Sequence, residues 1–202
     1  MTSARYIAFE GAEGCGKSTH AGRLAARLDA VLTRETGGTP IGERIRSILH
    51  DNAVTNLSHR AEALLTAADR AQHLAEVVVP ALEAGRHVVS DRSVYSTLAY
   101  QGFGRELNLD SVRAINRWAI GNRWPDLVLF IETPVGLLER RMRGRTLDRF
   151  ERESAEFHTR VRNGFRTMAD AEPDRWAVVN GVGSVAQVAE QVDRIVAERL
   201  GL

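Results

Sequence analysis

Gly11, Gly14 and Gly16 stand just ahead of Lys17, Ser18 and Thr19 in the stretch YIAFEGAEGCGKST, residues 6–19. This is the spacing G-x-x-x-x-G-K-S/T, and the chemistry it can do is to hold a polyphosphate. Glycines let the chain curl until successive N–H groups converge on phosphate oxygens, and a helix N-terminus behind them adds about half a positive charge. In that arrangement Gly11, Ala12, Glu13, Gly14, Cys15, Gly16, Lys17, Ser18 and Thr19 form the phosphate loop. Lys17 reaches the outer phosphates, and the Ser18 hydroxyl serves a magnesium ion. Lys17 is the only lysine among 27 lysine and arginine residues, so a compact ammonium stands where it is needed and arginine supplies positive charge everywhere else. A chance glycine turn would lack the apolar run Tyr6, Ile7, Ala8, Phe9 before it and the helical pattern after it.

Other charged residues also fall where a ligand would meet them. The stretch HVVSDRS reads as a strand ending in Asp91 and Arg92, and in open α/β sheets ligands bind outside the carboxyl ends of strands. Arg34 and Arg46 bracket a loop marked by Gly37, Gly38 and Pro40. Arg70 sits within a long helical pattern. The densest charge cluster, RRMRGRTLDRFERE, is interrupted by Gly144, which predicts a hinged, mobile loop instead of a rigid solvated face.

The elements that must position these residues follow from periodicity. Residues 17–28 carry Ala21, Leu24, Ala25 and Leu28 on one helical face, and residues 29–33 read as a short strand. Apolar positions from Ala61 to Leu82 predict one long helix ended by Ala84-Gly85. Asp110 is a candidate N-cap for a helix bearing Val112, Ile115 and Ala119. Thr133 and Pro134 suit the N-cap and first position of the next helix. DLVLFI is a strand buried on both faces, WAVV supplies the last strand, and Val185 to Val196 mark a C-terminal helix. Five strands alternating with helices predict a parallel sheet with helices on both faces, in a single domain spanning 1–202.

Composition bounds the partners. A net charge near +1 argues against a general nucleic-acid or membrane-surface binder. The single cysteine, Cys15, excludes an internal disulfide. Six histidines are scattered without ligand spacing. No leading run resembles a signal peptide and no stretch approaches 18 consecutive apolar residues, so the expected place is the cytoplasm. Among users of phosphate loops, a GTPase should show D-x-x-G and N-K-x-D, and the second is impossible when the only lysine is Lys17. A motor needs more chain. A phosphate loop, an Asp-Arg strand end, arginines around a cleft and an arginine-rich excursion together suit transfer of a phosphoryl group between two nucleotides.

At these motifs the chain resembles the thymidylate kinases, over nearly its whole length. FEGAEGCGKST, TRETGGT (33–39), LLTAADRAQH (64–73), DRSVYSTLAYQG (91–102) and RMRGRTLDRFE (141–151) each match a family pattern, the last with one extra residue between Gly144 and Asp148. The resemblance implies a nucleoside monophosphate kinase fold of the phosphate-loop class, with a short lid at about 141–152. It implies phosphorylation of dTMP to dTDP by ATP and Mg2+ in dTTP synthesis, and a homodimer. It further implies that Arg46 and Arg92 grip the acceptor phosphate and that Asp91, with Ser18, serves the metal. Glu13 would approach the acceptor sugar. Arg70, Ser96 and Thr97 would read the base, while Tyr100 and Gln101 close the pocket. Arg143, or else Arg149, would be the lid arginine at the transition state. Two residues depart from the pattern. Thr66 replaces a phenylalanine that stacks on the base, which leaves a paralogous kinase for another nucleoside monophosphate or pyrimidine phosphate as the alternative, and Thr36 replaces a proline.

Overall fold

A computed structural model describes residues 3–202. Five strands, β1 (Tyr6–Glu10), β2 (Val31–Arg34), β3 (Val88–Asp91), β4 (Leu127–Glu132) and β5 (Trp176–Asn180), form one sheet in the order β2-β3-β1-β4-β5. All neighbours run parallel. β1 is central and every one of its residues is buried. Because side chains alternate along a strand, the strands feed two cores. Tyr6, Val88, Val128, Phe130 and Trp176 enter a cluster with Tyr95, Leu98, Phe157 and Phe165. Ile7, Phe9, Val89, Leu127, Leu129 and Ile131 enter the opposite one, with Ala21, Leu24, Val188 and Val192. Burying each large aliphatic or aromatic side chain contributes about 1.5–3 kcal/mol, so these two layers fix the strand ends from which the charged residues project.

The helices are α1 (Lys17–Leu28), α2 (Pro40–His50), α3 (His59–His73), α4 (Val79–Glu83), α5 (Val94–Thr97), α6 (Leu109–Ile120), α7 (Val135–Met142), α8 (Ala155–Ala171) and α9 (Val185–Leu200). The long helix expected from Ala61 to Leu82 is present as α3 and α4, joined by the π-helical turn Leu74–Val78. A second π-helical segment, Leu98–Gly104, continues α5 and presents Tyr100 and Gln101. Such segments recur at functional sites because the extra residue re-aims the side chains of one turn.

Caps account for most boundaries. Thr39 accepts from Gly42 N–H with Pro40 in the first turn, and Ser184 with Gln187 forms a reciprocal capping box. Three expectations are corrected. The first strand after α1 is β2 at Val31–Arg34, because Asp29 adopts φ 48° and closes α1 instead of opening a strand. Asn108, not Asp110, caps α6, its carbonyl oxygen accepting from Ser111 N–H. Pro134 is itself the N-cap of α7, which starts at Val135, so the Thr133 side chain does not cap the helix. After α7, Gly144 turns with φ 78°, and residues 143–154 cross to α8 without regular structure except turns. No helix among the described residues is long and apolar enough to cross a membrane.

Candidate active site

The site grows from the carboxyl ends of β1 and β3. Beyond β1, Gly11 has φ 143°, and a Cβ there would lie 2.7 Å from the Ile131 carbonyl oxygen, so only glycine lets the chain leave β1 beside β4. The loop then wraps a cavity of about 380 Å3 lined by residues 13–20, Arg141, Arg145 and the loop after β5. The expected donors Lys17, Ser18 and Thr19 open α1 at its floor. Lys17 is buried. Its ammonium donates to the Ala12 carbonyl at 2.9 Å and stands 3.7 Å from Glu13. Arg141, on α7, donates to the Gly14, Cys15 and Gly181 carbonyls and so braces the rim of this cavity.

β3 delivers Asp91 beside the loop. Ser18 Oγ donates to Asp91 Oδ2 at 2.5 Å, while Asp91 Oδ1 is buried without any partner. A buried carboxylate oxygen with no donor costs free energy unless a cation or water meets it. A hydroxyl and a carboxylate together suit Mg2+, which takes one or two protein oxygens and completes its octahedron with water and phosphate. No cluster of three or more His, Cys, Asp or Glu residues with ligand geometry occurs among the described residues.

Arg92 follows at φ 74°, a left-handed conformation uncommon for a residue with a Cβ. That backbone turn sends the guanidinium toward the phosphate loop, where it donates to Gly11 O at 3.3 Å, Ser96 Oγ at 3.1 Å and Glu13 at 3.0 Å, and stacks 5.2 Å from the Tyr100 ring. Glu13 is consequently held down to about 2, first by Lys17 and then, against burial, by Arg92 and Arg145. Glu10, which sequence reasoning passed over, lies beneath. Fully buried at the end of β1, it accepts from Ser93 N–H, Ser93 Oγ and Ser96 Oγ, and burial pushes its carboxyl up. Its signal was available, a lone carboxylate directly after an apolar run.

A second cavity, about 260 Å3, opens on the other side of Glu13. Arg46, Thr66, Arg70, Arg92, Ser96, Thr97, Tyr100 and Gln101 are among the residues that line it, with His50, Arg145, Thr146 and Asp148 on the lid side. Arg46 donates to Thr36 O, and its charge is disfavoured by burial and by the neighbouring Arg34 and Arg92 cations. Two guanidiniums lining one cavity, with no carboxylate bridging them among the described residues, make a seat for a dianion. Arg70 is 2% exposed and firmly held. Nε donates to Glu35 at 2.7 Å, Nη1 to Thr97 at 3.0 Å and to Asn116, and Nη2 to Ser93 O at 3.1 Å. Four of its five N–H groups are thus spent inside the protein, leaving one for a ligand. Gln101 donates to the buried Glu62 at 2.8 Å. Thr66 donates its hydroxyl to Ala63 O at 2.8 Å, so what remains for the cavity is a methyl group.

The lid arginines take three different positions. Arg143 is exposed, at the C-cap of α7, and lines neither cavity. Arg149 is directed inward, with Nε donating to Leu49 O at 2.8 Å and Nη2 paired with Glu62 at 2.7 Å. Arg145, which sequence reasoning left out, lines both cavities and stands 4.0 Å from Glu13. The extra residue after Gly144 is the signal that could have found it, because an insertion there moves the reach of each flanking side chain.

A parallel sheet with a phosphate loop after β1, a carboxylate on the Ser18 hydroxyl, and a second arginine-lined cavity sharing a wall with the first defines a kinase of the phosphate-loop class that acts on a small phosphorylated acceptor. The thymidylate kinase family model matches residues 9–192. Curated thymidylate kinases are similar throughout: that of Desulfovibrio desulfuricans is 46% identical over 188 residues, covering 87% of each chain. That of Trichlorobacter lovleyi is 45% identical over 209 residues, covering 98% of this chain and 99% of its own. The crystal structure of thymidylate kinase from Ehrlichia chaffeensis superposes with a TM-score of 0.80 at 28% identity, over 96% of this chain and 99% of that one. The chain belongs to the thymidylate kinase family.

Proposed function

We propose that this protein transfers the γ-phosphoryl group of ATP to dTMP, giving ADP and dTDP on the way to dTTP. The observation that carries the reading is the pair of cavities meeting at Glu13 and Arg145, one lined by the phosphate loop and one lined by Arg46 and Arg92. Donor phosphates belong over Lys17 and the N-terminus of α1. The acceptor phosphate belongs between Arg46 and Arg92, with its sugar near Glu13 and Tyr100 and its base toward Thr66, Arg70, Thr97 and Gln101. Arg145 reaches the gap between them and is the lid residue best placed to meet charge on the transferring group, ahead of Arg143 and Arg149.

Little covalent help is needed for this reaction, so positioning and charge neutralisation in a water-poor site carry catalysis. Ser18 Oγ and Asp91 would hold Mg2+, which when bound with ATP neutralises charge on the phosphates. Arg92, fixed by Glu13, Ser96 and Gly11, orients the acceptor phosphate for in-line approach to the donor. Glu10 supports it from below by fixing Ser96. Arg70 is preorganised by Glu35 and spends its last free N–H on the base. The whole chain works as one kinase domain with residues 141–152 as its lid.

The acceptor is thymidylate, as the curated relatives' names support, with Thr66 weakening its grip and leaving the base class intact. A homodimer is favoured by apolar residues exposed on three neighbouring helices: Ile41 and Ile48 on α2, Leu64 on α3 and Trp118, 88% exposed, on α6. A cytoplasmic place, where ATP and nucleoside monophosphates are available together, follows from the reaction. In the direct test, ADP release in the presence of Mg2+ and ATP depends on dTMP and is abolished in Lys17→Ala, which folds normally. Turnover retained by Lys17→Ala would refute the assignment of the donor site.

A further inference from the structure

The lid is clasped by the end of α2. Asn52 Nδ2 donates to Leu147 O at 3.0 Å, His50 Nδ1 lies 2.7 Å from Asp148 Oδ2, and Leu49 O accepts from Arg149 Nε at 2.8 Å. Three successive lid residues are therefore held by neighbours at one helix terminus. Of the three helix-end residues, only His50 also lines the acceptor cavity. One turn earlier on the same helix, Arg46 lines that cavity too.

Asp148 is the centre of the lid turn. Its Oδ1 accepts from Phe150 N–H and Glu151 N–H, both at 2.9 Å, its carbonyl accepts from Arg152 N–H, and its own N–H donates to Glu151. These bonds shape the turn but do not orient it. The remaining oxygen, Oδ2, leaves the turn to meet His50, whose ring lies edge-on to Phe150 at 5.3 Å, beside the Arg149–Glu62 and Arg105–Glu153 pairs that also hold the segment. Just before this turn, Arg145 and Thr146 face the acceptor cavity. Residues 143–154 have no strand or helix to hold them in register, so a side-chain contact that fixes the turn also fixes how far Arg145 reaches.

We propose that His50 is a positioning residue for phosphoryl transfer, acting through Asp148 to set the lid over the two cavities. The helix that supplies an acceptor-phosphate cation, Arg46, thereby also sets the lid that carries Arg145. The inference rests on the two-cavity reading given above. A charge-assisted hydrogen bond lost from a positioned catalytic element is worth about tenfold in rate. Asn52, Leu49 and the Arg149–Glu62 and Arg105–Glu153 pairs still tether the lid when His50 is changed, so what is lost is registration of the turn at Asp148.

Two substitutions separate positioning from bulk. His50→Leu keeps the volume and removes the donor, whereas His50→Asn places an amide N–H near the position of Nδ1. Steady-state kinetics of both, in the full-length protein with ATP, Mg2+ and dTMP, should show kcat lower by about tenfold in His50→Leu, with both KM values changed less than about threefold, and most of the loss recovered in His50→Asn. Hydrogen exchange at the Phe150 and Glu151 amides should quicken in His50→Leu and slow again in His50→Asn. Wild-type kcat in His50→Leu, or no recovery in His50→Asn, would overturn the proposal. Lys17→Ala measured alongside keeps the two levels apart. If Lys17→Ala is inactive and His50→Leu is fully active, the positioning role fails alone; if Lys17→Ala turns over, the site reading beneath it fails.

Discussion

Glu35→Gln is the substitution whose cost can be worked most directly from the structure. Glu35 and Arg70 are 1% and 2% exposed at the side chain and pair at 2.7 Å, while His73, fully buried, brings Nδ1 to 2.9 Å from the other carboxylate oxygen and Nε2 to 2.6 Å from Thr33. Burial alone would push the Glu35 carboxyl up, yet Arg70 and His73 together hold it below the ordinary range. Gln keeps the shape but leaves a buried guanidinium with only neutral partners at Thr97, Asn116 and Ser93. Breaking a buried pair from one side costs about 3–5 kcal/mol. With three neutral acceptors still in place the lower end applies, about 3 kcal/mol, which for a chain of this size lowers Tm by about 6–12 °C. Because Arg70 faces the acceptor cavity, KM for dTMP should rise as well. The sign of the pH dependence follows from the depressed carboxyl. Its stabilising contribution is complete above the unfolded carboxylate value of about 4.3 and is lost as pH falls through the lower folded value. Thermal denaturation from pH 7 down to pH 3 should therefore show a shallower acid decline in Glu35→Gln than in wild type. A Tm within about 2 °C of wild type at pH 7 would refute the claim that this buried pair contributes about 3 kcal/mol to the fold.

Three other outcomes are expected. Thr66→Phe restores a base-stacking surface worth about 1–3 kcal/mol, so KM for dTMP should fall by about tenfold with kcat little changed; unchanged dTMP affinity would show that the methyl of Thr66 was not the deficit. Asp91→Asn should raise the Mg2+ concentration needed for half-maximal rate while leaving equilibrium binding of dTMP nearly unchanged, as magnesium titration and calorimetry would show. Leu64→Arg should shift a dimer to monomer in light scattering if the α2, α3 and α6 face is the subunit contact, and an unchanged mass would place the contact elsewhere.

The fold was legible because its signals are local and periodic. Alternation in β1, β3 and β4 is enough to split the two cores, and the glycine and lysine spacing marks the one place where β1 must turn into a phosphate cradle. Boundaries were less legible where two residues compete for one role. Asn108 and Asp110 both suit a cap, and only the chain's approach to α6 decides for Asn108. Within the site, the residues on strand ends and on α3 were traceable because regular structure fixes their direction. The lid was not. Arg143, Arg145 and Arg149 are equivalent in chemistry, and which one reaches the cavities depends on the turn after Gly144 and on the clasp by His50 and Asn52, contacts about a hundred residues apart in sequence. The buried carboxylates Glu10, Glu35 and Glu62 were missed for a related reason. A carboxylate reads as surface in a sequence, and only the arrival of Arg70, Arg105, Arg149 and the serines on it reveals a buried partner.

The most direct test of the central claim is ADP release measured across a panel of dTMP, dUMP, dCMP, dGMP and UMP with ATP and Mg2+. The two-cavity account predicts that dTMP has the highest kcat/KM, and that Arg92→Ala and Arg145→Ala lose turnover while the fold remains intact. A higher kcat/KM for another monophosphate, or nucleotide binding with no ADP released for any acceptor, would contradict it.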